Sequence, residues 1–299
     1  LFDAVRGNNR ILYSNATNAE EVEATASLTS FNSDGFTLSG NGSSGVGNVN
    51  GNGTTYAAWT WDAGSSTVTN TQGSITSSVR ANATAGFSIV TYTGTGSNAT
   101  VGHGLGVAPG MIVIKDRTSS VFNWAVWHSA LGGGDYALQL NNTSAKSNAF
   151  DYWNGDPTST VFTLGTDNGS NKSGDNYVAY CFAPVVGYSS FGSYTGNGSS
   201  DGPFVYTGFR PRWLLIKCSS VAGESWFVLD SARSAYNVTQ DYLVPNSSAS
   251  ESSAYNIVDF LSNGFKLKTS AAGSAFNGSG ATYIYAAFAE APFNYSRAR

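Results

Sequence analysis

Short apolar stretches, alternating or continuous and separated by clusters of glycine, asparagine and serine, organise the whole chain. Phe87-Ser88-Ile89-Val90-Thr91-Tyr92 alternates, Met111 to Ile114 is a continuous run of the kind buried on both faces, and Asn123 to Trp127 supplies a third segment. Leu138-Gln139-Leu140, Val161 to Leu164 and Tyr177 to Phe182 follow, punctuated by Gly132-Gly133-Gly134 and Asn168-Gly169-Ser170. Nowhere does a helical apolar stripe persist between caps, so helix content is expected to be small. The spacing predicts an all-β chain of sandwich modules, with a closed barrel as the weaker alternative.

The pattern repeats. Tyr92-Thr93-Gly94-Thr95-Gly96-Ser97 returns 102 residues later as Tyr194-Thr195-Gly196-Asn197-Gly198-Ser199. The same offset carries Pro109 to Pro211, Ile114-Lys115 to Ile216-Lys217 and Trp124 to Trp226. The closing segment Tyr177–Phe182 meets Tyr283–Phe288, and Phe162-Thr163-Leu164 meets Phe265-Lys266-Leu267. Two complete modules of about 100 residues are therefore expected at 86–185 and 188–293, followed by a tail at 294–299. Residues 1–63 hold the back half of a third. There Asp3-x-x-Arg6 matches Asp230-x-x-Arg233, Leu12-x-x-Asn15 matches Leu243-x-x-Asn246, Phe31 to Leu38 matches Phe260 to Leu267, and Tyr56–Trp61 takes the closing slot. Residues 64–85 have no counterpart and read as a linker or arm.

Composition agrees with tight turns and short strands: 35 glycines, 13% aromatics and only 11% charged residues. Fifteen basic residues scattered singly, at a net charge of −4, leave no electrostatic footprint for nucleic acid. No apolar run is long enough for membrane insertion as a helix. The opening Leu1-Phe2-Asp3-Ala4-Val5-Arg6 has no basic or apolar leader character, so no signal peptide is expected there. Leu1 is not expected to be where translation begins.

Chemistry-bearing residues are sparse. His103 and His128 are not matched by histidine in the other copies, and His128 takes the slot of Asp3 and Asp230. Two histidines and two cysteines, Cys181 and Cys218, show no metal-ligand spacing, and the cysteines read as buried small hydrophobes before they read as a disulfide. The Gly-x-Gly segments lack a following helix, so they are β turns and no cofactor is expected. The chain is not expected to be an enzyme; the remaining catalytic option is a carboxylate pair, for which Asp151 and Asp156 share a loop. Tyr152, Trp153 and Asp156 in that loop are the candidate glycan or partner contacts, with loop packing as the alternative. Asp-x-x-Arg reads as a turn-stabilising pair, and Trp124 and Trp226 as core.

The run Ser78-Val79-Arg80-Ala81-Asn82-Ala83-Thr84-Ala85-Gly86-Phe87-Ser88-Ile89-Val90-Thr91-Tyr92-Thr93-Gly94 resembles a segment of tail-fibre-like virion proteins of marine phages. His103-Gly104-Leu105-Gly106-Val107-Ala108-Pro109, Pro211-x-Trp213-x-x-Ile216-Lys217 and Tyr283-Ile284-Tyr285-Ala286-Ala287-Phe288 are similar to others, and the resemblance covers nearly the whole chain. It implies a structural role in a virion, with no catalytic residues to carry over, and a trimeric fibre habit. The expectation is a non-enzymatic tail or capsid fibre, virion-borne or extracellular, with copies of itself, other virion proteins and a host-surface polysaccharide as partners. The alternatives are a free extracellular filament and a secreted carbohydrate-active enzyme or its binding module.

A half module exposes apolar faces and strand edges that something must cover. Either the missing strands precede Leu1, or another subunit donates them. The donor would be the arm 67–79, with Val68, Ile75 and Val79 as anchors and a sheet of a different subunit as its target.

Overall fold

Strands form where the apolar pattern has a period of two, and they stack into two-layer sandwiches because each sheet presents an apolar face that must be covered. The computed structural model describes residues 1–22, 28–39, 49–270 and 275–289. Among them the chain is nearly all β, with a single short helix at Asn168–Asn171. In the second copy the main sheet has seven strands, in the order Leu138–Gln139, Ala125–His128, Met111–Asp116, Asn176–Phe182, Phe87–Thr93, Ser77–Asn82 and Val68–Asn70. In the third it has five: Ser189–Thr195, Thr282–Ala289, Pro211–Cys218, Trp226–Asp230 and Tyr242–Leu243. A smaller sheet covers one face of each. It is Val161–Leu164 with Ala99–Gly102 in the second copy, and Phe204–Tyr206, Gly264–Leu267 and Val258–Leu261 in the third.

The closing strand is paired on both sides in both main sheets, and its register is the same. Phe182 pairs with Phe87 on one side and Met111 on the other; Phe288 pairs with Ser189 and Trp213. Along each closing strand alternate residues enter different cores. Tyr177, Ala179 and Cys181 face the small sheet with Phe162 and Leu164, whereas Val178, Tyr180 and Phe182 face the opposite way. The third copy does likewise, with Tyr283, Tyr285 and Ala287 against Phe265 and Leu267. Its other face, Ile284, Ala286 and Phe288, joins Val178, Tyr180 and Phe182 in one shared core that also takes Leu12 and Ala63. Continuous apolar runs such as Met111–Ile114 follow from this, because both faces of the strand are buried. Cys181 and Cys218 are free and buried in different cores.

Among the described residues the first copy shows no main sheet: Arg10–Ile11 pairs with Glu21–Val22 and Leu28–Phe31 pairs with Phe36–Leu38, while 57–61 lie outside any ladder.

Residues 64–85 are neither a linker nor a free donor. Val68–Asn70 pairs with Ser77–Asn82, which pairs with Phe87–Thr93, so the arm is an edge hairpin of its own chain's sheet. Val79 and Ile75 are anchored in that module's core, Ile75 also bridging to Val101, and Val68 is exposed at the rim. The donor reading is thereby corrected. The spacing of Val68, Ile75 and Val79 fits a hairpin with an intervening turn, not one strand face. The turn needs Gly73 for space, since a Cβ there would lie 2.3 Å from the Thr100 carbonyl oxygen. Gly73→Ala is expected to lift the turn from the Thr100 strand and to cost about 1–3 kcal/mol. Chemical denaturation measures the loss, and amide exchange at residues 68–82 localises it.

Candidate interaction site

Residues that occupy the same slot in the three copies meet at one place. Trp61, Phe182 and Phe288 form a triangle of aromatic rings with centroid separations of 6.0 Å (Trp61–Phe182), 5.5 Å (Trp61–Phe288) and 5.9 Å (Phe182–Phe288). All three contacts are edge-to-face, the arrangement the ring quadrupole favours. Trp213 adds an edge to Trp61 at 5.3 Å.

Around this centre the Asp-x-x-Arg element, or His128 in its place, grips the closing segment of the next copy. In the first copy, Asp3 Oδ1 accepts the amides of Val5 and Arg6, its other oxygen is ion-paired with Arg6, and Tyr180 of the second copy donates its hydroxyl to Asp3 at 2.8 Å. In the third, Asp230 Oδ1 accepts the amides of Ala232 and Arg233, and Trp59 of the first donates its indole N–H to Asp230 at 3.1 Å. Arg233 lies over the Trp59 ring, 5.5 Å from its centroid. In the second, His128 Nδ1 accepts the Ala130 amide, leaving Nε2–H to donate to the Tyr285 carbonyl at 3.0 Å. Tyr180 and Trp59 share the slot that Ala286 fills in the third copy, so a backbone carbonyl replaces the missing polar side chain there. Asp-x-x-Arg is thus a turn clamp and a junction contact together.

The repeated tryptophans lock the same junctions from the other side. The Trp124 indole donates to the carbonyl of Tyr13 and that of Trp226 to the carbonyl of Gln139, both at 2.9 Å and at matching positions of the preceding copy. Both rings are fully buried. Trp226→Phe keeps most of the packing but orphans the Gln139 carbonyl, and is expected to cost about 1–2 kcal/mol by urea denaturation.

The junction between the third and first copies stays open. A cleft of about 300 Å³ is lined there by Tyr56, Ala58, Trp59, Trp213, Asp230 and Arg233. The Trp213 indole nitrogen is buried in its wall and has no hydrogen-bond partner among the described residues. Glu20, whose side chain is 6% exposed, binds Arg6 and, through both oxygens, Arg117 of the second copy. These guanidinium groups hold the Glu20 carboxyl below the usual range against the opposing effect of burial. Its counterpart Glu251 pairs with Arg233 and is 45% exposed.

The profile of a family described as Domain of unknown function (DUF7483) matches residues 1–292, from the half module through both complete ones. The chain belongs to this family. No curated protein and no solved structure matches it.

For the DUF7483 chain the loop residues expected to contact a glycan or partner are a correction. Tyr152 and Trp153 are 4% and 3% exposed. Tyr152 stacks on Phe150, and its hydroxyl accepts from Gln139 at 2.7 Å, which leaves no free ring face. Burial pushes its hydroxyl up to about 12. The polar flanks concealed this, because the loop folds back over the small-sheet core. Asp156 is exposed, whereas Asp151 is held by Thr166. His103 repeats the His128 pattern, accepting from the Leu105 amide and facing the Thr158 carbonyl at 3.1 Å, and burial pushes it down. Lys115 and Lys217, pushed down to about 8 by burial, each cap backbone carbonyls. The junction residues Trp59, Trp61 and Trp213 escaped the sequence reading. Their signal lay in the Trp59 slot, which holds Tyr180 and Ala286 in the other copies while the residues around it repeat.

Proposed function

We propose that this DUF7483 protein is a non-enzymatic structural component of a phage particle, a tail or capsid fibre, that meets neighbouring subunits or a host-surface polymer. The observation that carries the reading is that both histidines and the repeated Asp-x-x-Arg pairs serve packing, turns and junctions. The resemblance of 78–94 and the later motifs to virion fibre proteins gives this scaffold its setting. A charge-poor surface of Ser, Thr, Asn and Tyr suits wet contacts with copies of itself and other virion proteins. The concavity over the arm, lined by Thr69, Thr91, Thr93, Arg117 and Asn176, offers hydroxyl, amide and guanidinium groups to a polysaccharide. Immunogold electron microscopy of purified virions is expected to decorate fibres, with light scattering showing a homo-oligomer, a trimer by the fibre habit. Antigen found only in the particle-free fraction overturns the reading in favour of a free filament or a secreted binding module.

A further inference from the structure

Each main sheet has one edge that loops close and one that stays bare among the described residues. Ser147 bridges Ala137 beside Leu138–Gln139, and Ser252 bridges Tyr242 beside Leu243. The bare edges are Val68–Asn70 in the second copy and Ser189–Thr195 in the third. Strand alternation fixes which backbone groups they offer. Tyr188 and Gly196, at the two ends of Ser189–Thr195, bond toward the closing strand through Ala289, Ala281 and Gly280. The amides and carbonyls of Phe191, Ser193 and Thr195 therefore point away from it, while Ser189 is taken by Val185. In the second copy the equivalent Ile89 and Thr91 pair with Arg80 and Ser78 of the arm. Val79 and Ser77, which alternate with these, pair with Val68 and Asn70 and leave the amides and carbonyls of Thr67 and Thr69 facing out. The arm takes the small-sheet edge as well, the Ile75 amide donating to the Thr100 carbonyl at 3.0 Å and the Ser77 hydroxyl to that of Gly102 at 3.3 Å. The third-copy counterpart of that edge, Phe204–Tyr206, has no strand beyond it. Neither bare edge is guarded against pairing: Thr67–Asn70 and Ser189–Thr195 hold no charge and no proline.

We propose that these two edges pair between molecules, Thr67–Asn70 of one chain adding antiparallel to Ser189–Thr195 of the next. Thr69 lies opposite Phe191 and Thr67 opposite Ser193, each pair exchanging both of its backbone hydrogen bonds. Val68 then faces Gly192, as Val79 faces the equivalent Val90 in the second copy. The faces agree. Val68 lies directly opposite Val79 and shares its face, and Gly192 shares the face of Tyr194, both toward the small sheet. Val68 is 56% exposed, so that face of the arm is clear to pass beneath Phe204–Tyr206. A third-copy edge does not fit its own kind, because the small sheet of each would overhang the strand of the other. Resting on the homo-oligomer reading above, the contact is heterologous, and it closes into a ring or runs on as a filament.

Proline at an outward amide removes that donor and leaves the bonds of the chain's own sheets in place. Thr69→Pro and Ser193→Pro are each expected to keep the parent's circular dichroism and to weaken self-association by roughly 100-fold in sedimentation velocity across a concentration series. Val68→Lys, which alters no backbone group, should act like Thr69→Pro. Thr69→Pro retains the Ser193 edge and Ser193→Pro the Thr69 edge, so mixing the two variants should give dimers that grow no further. Amide exchange at Phe191 and Ser193 of the Thr69→Pro chain should slow only in that mixture. Thr69→Pro that still associates alone overturns the proposal, as does a mixture that stays monomeric. Exchange at Phe191 and Ser193 that is slow at every concentration also overturns it, the edge being covered within one chain. Association that survives both prolines overturns this contact and leaves the homo-oligomer reading standing, whereas a parent chain monomeric at every concentration overturns both.

Discussion

Phe288→Ala is expected to destabilise the whole chain by about 3–5 kcal/mol and to lower its melting temperature by roughly 10 °C in a single transition. The ring of Phe288 touches those of Trp61, Phe182, Tyr188, Phe191 and Trp213, at centroid separations of 5.5 to 5.9 Å. Those partners belong to all three copies, so the cavity left by alanine opens where they converge. Backbone strands on every side restrain its collapse, which places the cost at the upper end for a core deletion. Calorimetry supplies the check. Two separate transitions, with only one of them shifted, would show that the copies unfold independently and that the shared core is not cooperative.

Acid should destabilise the protein through His128, by an amount that His128→Asn removes. Burial pushes the imidazole down to about 4, while the unfolded chain titrates near 6.5. Above pH 6.5 both states are neutral and the group contributes nothing to pH dependence. Between pH 6.5 and 4 the unfolded chain takes up a proton that the folded one excludes, so stability falls as pH falls. The slope is about 1.4 kcal/mol per pH unit and the total about 3 kcal/mol. Asparagine keeps the Ala130 amide bond through its oxygen without titrating, and the reach it loses to the Tyr285 carbonyl is a cost that is the same at both pH values. Glu20 and Asp230, both held low by arginine, also lose stability as pH falls through their folded values, but they do so in both proteins. Urea midpoints at pH 7 and pH 4.5 should therefore diverge between the two chains, the parent losing more. Equal losses would mean that His128 is protonated in the fold.

The sandwich could be read from the chain because period-two alternation and turn residues act locally, and because a second copy of the pattern confirms the first. Trp124 and Trp226 were readable as core for the same reason. Tyr152 and Trp153 were not, since an aromatic pair between Asp151 and Asn154 looks exposed until the loop is seen to close over Phe150. The arm failed differently. Val68, Ile75 and Val79 carry no strand-face periodicity of their own because a turn at Gly73 separates them, and the sheet edge they join lies in a later module. The junctions lie where the repeat breaks: recurring residues mark the cores, whereas Trp59, Tyr180 and Ala286 differ from one copy to the next.

Those differences settle which copy sits beside which. Tandem segments of one ancestral pattern can dock in the wrong order during folding, and near-identical contact surfaces would make every order almost equally good. Here the surfaces are keyed. Put Asp230 in the place of His128 and a carboxylate would face the Tyr285 carbonyl, acceptor against acceptor; put His128 against Tyr180 and the phenol would lose its carboxylate. Each exchange strands a buried polar group, at a cost of about 1–3 kcal/mol. The lack of a shared junction residue thus acts as an address that matches each clamp to one neighbour.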